Sequence, residues 1–371
     1  MIPERSYHED ALARFRATGD PLADALVADL RPLGPRGQAM LQTALQSGIG
    51  AVPDPPPSMS AFFASVDHVP DWVDWDVMNR ASATVLRANI FGAAVFGCYS
   101  TPLFYRLGRG ARPLAMTDAL VKGAVTRGRR TARFVIETCM PFGLSREGDG
   151  FRLTIRIRLL HARTRLALLA SPDWDVATDG MPMAQAYVAA MSSFLSAYWL
   201  QGLRRIGVRV SDAEAEAVMR LWRYSSYLMG VPSELLFATE HEAIRFVERL
   251  FASEPAPGDA ARQLTRALLD AVPGVFEQSG WRGRMLQHVF QGLIYASFGA
   301  EQAAELGVSR TAWRHVPRLV APAMAGLSLV QLLAPPLARS ARLRGTQLWI
   351  RIADYSDVGA APDMDRSEPR A

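Results

Sequence analysis

The sequence predicts an all-α protein, a large bundle of about ten to twelve helices. Three observations predict it. Apolar residues recur at three- and four-residue spacing along most of the chain. Proline, glycine and capping residues divide those runs into lengths that suit helices. Alternation with a period of two is confined to Arg152-Leu153-Thr154-Ile155-Arg156-Ile157-Arg158, which has no alternating partner nearby and is therefore read as helix.

The first helical runs are Glu9 to Leu30, with a break at Pro21, and Arg36 to Ser47; Pro32 and Pro35 separate them. Asp54-Pro55-Pro56-Pro57 breaks the chain again, and Ser58 or Ser60 is placed to cap the next helix. Trp72 and Trp75 are expected to pack against a helix end. From Val77 to Tyr105 the chain is almost free of charge after Arg87. Gly92, Gly97 and Pro102 favour a buried helix, approached closely by another helix or a flat ligand, over a membrane span.

Two apolar runs follow, about Thr117 to Met140 and Phe151 to Leu169, joined by a glycine-rich turn that lets them lie antiparallel. A helix from Met181 to Ile206 carries Met183, Tyr187, Ala190, Phe194 and Tyr198 at helical spacing, a core stripe. Ser211 and Glu214 form a capping box for the helix that ends before Gly230-Val231-Pro232. Another helix spans Glu234 to Ala252, and Glu254 to Gly258 reads as a linker. Further helices are expected over Asp259–Ala271, Gly283–Phe298, Glu301–Leu306 and Arg310–Leu319. The uncharged run Leu319 to Ala338 is read as fully buried. The expected organisation is an N-terminal helical extension (1–56), a core (57–253), C-terminal helices packed on it (254–353) and a frayed tail (354–371).

With 371 residues, 49% of them apolar and 21% charged, the chain is globular and can build a core around a cofactor. Its net charge of +5 comes from scattered arginines rather than a basic block interleaved with aromatics, which argues against a nucleic-acid partner. Cys98 and Cys139, both in apolar runs, read as small buried thiols rather than a disulfide. The opening residues, Met1 to Asp10, lack a basic segment followed by an apolar one, so a cytoplasmic location is expected. His288 and His315 have no ligand-like partners at helical spacing and are read as structural.

Two segments carry chemistry. One is Arg127-Gly128-Arg129-Arg130-Thr131; the other is Arg158-Leu159-Leu160-His161-Ala162-Arg163-Thr164-Arg165. On a helix Arg158, His161 and Arg165 share one face, and Arg127 and Thr131 another. The residues alone leave two readings. A neutral imidazole can ligate iron while the guanidiniums meet an acidic group such as a haem propionate; equally, a core histidine can bond a carbonyl while the arginines face water.

These motifs, R-x-x-R-T followed by R-x-x-H-x-x-x-R with the histidine thirty residues after the threonine, resemble the latex clearing protein (rubber oxygenase) family. Its superfamily includes the fungal oxygenase that cleaves a farnesyl chain in mycophenolic acid biosynthesis. The run from Leu221-Trp222-Arg223-Tyr224 to Leu235-Leu236 is also similar, and the likeness covers about Phe91 to Leu250. The resemblance implies a bundle enclosing haem b, with His161 as the iron ligand and Arg158 and Arg165 supporting the haem. It implies Arg127 and Thr131 on the distal side, and Arg130 where relatives carry a lysine able to cap the iron. An arginine stays protonated and does not take that role readily. The position of the proposed base glutamate falls at Ala111; Asp118 and Glu137 are the nearest acids in sequence. The implied activity is oxygen-dependent cleavage of a carbon-carbon double bond, or a related oxidation, in an apolar isoprenoid or natural-product substrate. The substrate and dioxygen are then the partners, with peripheral membrane association left open. The competing class is a non-catalytic haem carrier or sensor, or a cofactor-free interaction protein.

Overall fold

The structure is a computed structural model that describes residues 9–116 and 123–353, and among these every regular element is helical. Asp118 and the tail 354–371 lie outside the described residues. The chain starts with α1 (Glu9–Ala17) and α2 (Pro21–Leu30), divided before Pro21 as the sequence predicts. Asp20 caps α2, its carboxylate accepting from the Ala23 amide at 3.2 Å. After α3 (Gly34–Ser47) comes α4 (Pro57–Asp67), which begins on a proline with Pro56 as its N-cap. Neither Ser58 nor Ser60 caps it: Pro57 supplies the fixed φ of a first helical turn, and Ser58 donates to Asp29 at 2.6 Å instead.

Asp74 opens α5 (Trp75–Val95) by accepting from the Val77 amide, and a π turn over Phe96–Ser100 and α6 (Thr101–Tyr105) prolong it. This stretch has the length and apolarity of a membrane span, yet 67% of its most apolar window is buried inside the protein. The glycines admit protein aromatics: the Trp199 indole lies on Gly92 and donates to its carbonyl at 3.0 Å, and the Phe290 ring lies on Gly97. Trp72 and Trp75 pack edge-on against Tyr224, as expected for anchors at a helix end. α7 (Gly108–Met116) follows.

α8 (Ala124–Cys139) and α9 (Asp149–Leu169) are packed neighbours joined by a short turn. The alternating segment 152–158 is inside α9, so the helical reading holds. Beyond α10 (Val176–Asp179), the run expected as one helix is divided at Ser196, whose ψ of −90° leaves the helical region, into α11 (Gln185–Leu195) and α12 (Ala197–Arg205). α13 (Asp212–Leu228) carries the predicted Ser211–Glu214 capping box. α14 (Glu240–Ala252) starts later than expected, because Thr239 and Glu242 form a second box while Ser233–Leu235 is a separate 3-10 turn.

α15 (Asp259–Val275) packs on α7 and α8. α16 (Gly280–Glu305) bends at Gly299, whose φ is 76°, which joins two expected helices. α17 (Val316–Leu333) and α18 (Pro335–Ile352) finish the fold, and α18 packs along α5. The expectation that Leu319 to Ala338 is fully buried is corrected: Leu319 and Leu333 are each 76% exposed.

Candidate functional site

His161 sits midway along α9, and the two flanking arginines decide how that helix is held. Arg158 is buried and forms a two-pronged ion pair with Asp20, Nε to Oδ2 at 2.6 Å and Nη2 to Oδ1 at 3.0 Å. Its Nη1 donates to the Leu228 carbonyl at 3.1 Å, and its guanidinium lies over the Phe62 ring. Two turns along, buried Arg165 grips Asp24, Nη2 to Oδ1 at 2.7 Å, while its Nη1 donates to the Met183 carbonyl at 2.9 Å. Buried charges are tolerated because each guanidinium is paired and hydrogen-bonded on several sides.

Asp20 and Asp24 are the cap and first turn of α2, one helical turn apart, so the start of that one helix meets both arginines, which stand two turns apart on α9. Arg158 and Arg165 therefore turn their donors to protein carboxylates rather than to an open cofactor surface. Sequence reasoning missed this pair of acids. The available signal was two aspartates at i and i+4 on a helix whose other residues are mostly apolar.

The loop after α13 closes over the same place. Gly230 has a φ of 78°, and a Cβ there would lie 2.6 Å from Arg158 Nη2, so only glycine fits both the backbone and the contact. The Tyr227-to-Leu236 segment thus reaches the histidine helix directly.

The imidazole of His161 is partly buried, and it has no hydrogen bond among the described residues. Burial pushes its pKa down from 6.5 to about 4; the Arg165 charge pushes the same way, and Asp20 offsets part of this. At neutral pH the ring keeps a free nitrogen lone pair, the form that ligates a metal. Burial pushes the thiols of Cys98 and Cys139 up, away from the thiolate an iron ligand needs. No cluster of three or more histidine, cysteine or acidic side chains suited to a metal occurs among the described residues.

On neighbouring α8, Arg127 is partly buried and Thr131 exposed, and neither has a side-chain partner among the described residues. Arg130 is exposed. Arg129, on the far side of the helix, donates to Glu277 at 2.9 Å and to the Arg351 carbonyl at 3.1 Å. Ala111 is buried in α7, so no carboxylate stands at that position; Glu137 is partly buried on α8. Close to α7 lies an acid that sequence reasoning put in a linker. Glu254, its side chain 2% exposed, accepts from the Arg109 amide at 3.0 Å and from the Tyr187 hydroxyl at 2.8 Å. It satisfies the start of α7 from another part of the chain.

Residues 88–329, almost two thirds of the sequence, match the family model described as "ER-bound oxygenase mpaB/B'/Rubber oxygenase, catalytic domain". The chain belongs to this family. A rubber oxygenase from Streptomyces sp. (strain K30) is 25% identical over 188 residues, 50% of this chain and 46% of that protein, so the match spans about half of each. The latex clearing protein, solved in its closed state, superposes with a TM-score of 0.72 over 92% of both chains at 20% identity. That likeness places the rubber oxygenase family's all-α fold over nearly the whole chain.

Proposed function

We propose that the protein is a haem b-dependent oxygenase acting on an apolar substrate, an isoprenoid or a related natural product, in the α8–α9 region. The observation that carries this reading is His161. It is a neutral imidazole, free of hydrogen bonds among the described residues, on a helix fixed at two points by buried ion pairs. That donor set suits an iron porphyrin: a nitrogen ligand on a rigid element, with the guanidinium of Arg127 on the neighbouring packed helix for carboxylate arms.

In this reading the haem, when bound, supplies oxygen binding and redox chemistry. The chain's own residues bind and orient. His161 holds the metal. Arg158 and Arg165 are positioning residues, since their donors are spent on Asp20, Asp24 and two carbonyls. Arg127 is the guanidinium with donors to spare for a propionate, and the Thr131 hydroxyl offers a hydrogen bond on the same helix face. Arg130 carries a guanidinium, which would not readily ligate a metal. Ala111 cannot move a proton, so no base is assigned there.

The absence of an acid at Ala111 also favours a second reading, a haem-holding protein without turnover. Absorption spectra of the pure protein, then oxygen uptake with a panel of soluble isoprenoids, separate the two. A Soret band with substrate-dependent oxygen consumption supports the oxygenase. A Soret band without consumption supports the carrier, and a colourless protein after expression with haem precursor removes both.

A further inference from the structure

The two C-terminal helices break the usual rule of polar outside and apolar inside. Of the 17 large apolar residues exposed on the described surface, eight belong to α17 and α18, which is a concentrated patch and not scattered exposure. On α17, Leu319, Val330 and Leu333 share the outward stripe, at spacings that return to one face. The opposite stripe turns Met324, Ser328 and Gln331 inward, where they line a cavity of about 260 Å³ together with Arg87 and Arg344. Ser328 and Gln331 face the protein, whereas Leu319, Leu329, Val330 and Leu333 face out.

Charge follows the same segment. Between Leu306 and Ala353 there are seven arginines and no aspartate or glutamate, so this stretch alone exceeds the net charge of the whole chain, +5. Arg318, Arg339, Arg344 and Arg351 are exposed among the leucines. The helices meet at a bend of 117°, with Leu333 and Leu337 at its vertex, and Pro322 lies inside α17. A bent, proline-containing pair of this kind is shaped to lie in an interface rather than cross it.

We propose that the α17–α18 hairpin docks the protein on an anionic lipid surface, its leucines entering the acyl boundary and its arginines meeting lipid phosphates. This assignment stands independently of the haem reading. The whole of α18 and the vertex lie beyond the residues that match the family model, which end at 329.

The test is co-sedimentation of the full chain with phosphatidylcholine vesicles, plain or containing about one third phosphatidylglycerol. The wild type is expected to pellet with the anionic vesicles and to stay in solution with the neutral ones. Leu319→Glu with Leu333→Glu is expected to weaken binding by at least about tenfold. Arg318→Gln, Arg339→Gln and Arg351→Gln together are expected to weaken it about a hundredfold. All five residues are exposed, so unfolding midpoints should not move, and the arginine variant carries the test if the leucine variant misfolds. Failure of the wild type to bind anionic vesicles, equal binding to neutral ones, or binding unaffected by both sets of substitutions overturns the proposal. So does a wild-type dimer, dissolved by the leucine substitutions, that ignores vesicles; the patch then belongs to a second copy of the chain.

Discussion

Arg158 of α9 and Asp20 of α2 meet in a buried two-pronged ion pair, 2.6 and 3.0 Å long, between residues 138 apart in sequence. Removing one partner strands the other charge in a site where both side chains are almost fully covered. Asp20→Ala is expected to lower unfolding free energy by about 3–5 kcal/mol, read from urea denaturation. Asp20→Asn, which keeps hydrogen-bond acceptance but not charge, should cost less.

Gly230→Ala faces two penalties at once. The positive φ costs about 1–2 kcal/mol for a residue with a Cβ, and that Cβ would overlap the Arg158 guanidinium. A loss of at least about 2 kcal/mol is expected. A double-mutant cycle with Asp20→Ala should show strong coupling, because both changes act on Arg158.

His161→Ala is expected to abolish haem retention, whereas Arg130→Ala leaves it largely intact, both read as Soret absorbance per mole of purified protein. Arg127→Ala should reduce retention without shifting the thermal midpoint of cofactor-free protein, since Arg127 has no side-chain partner among the described residues. Equal haem content in wild type and His161→Ala would remove the ligand assignment.

His161 titrates at about 4 in the folded protein against an ordinary 6.5. Between those values the unfolded chain binds the extra proton, so the stability from this group is full above about 6.5 and is lost as pH falls toward about 4. Urea midpoints of cofactor-free protein should fall over that window. His161→Gln should flatten that part of the decline; parallel curves would show that other groups cause it.

The helical architecture was legible because its signals are local. The Ser211–Glu214 box can be read from four residues, and α9 survives the alternating stretch because its apolar positions also satisfy a helical period. What was hidden depends on distance in sequence. Asp20, Asp24 and Glu254 show their roles only when partners more than a hundred residues away arrive. The break at Ser196 likewise leaves no proline or glycine to announce it. His161, Arg158 and Arg165 were visible as a spaced triplet, but which of them face a ligand was not, because the answer lies on α2. The inverted exposure of α17 was misread for a related reason: an uncharged run looks the same whether its leucines point to a core or away from it.

The bridge between α2 and α9 also orders events in time. At ribosomal speeds of about 5–20 residues per second, Asp20 emerges on the order of ten seconds before Arg158 exists. The helix that steadies His161 is therefore made early and recruited late. A protease that trims the first thirty residues would disarm the histidine helix without touching it.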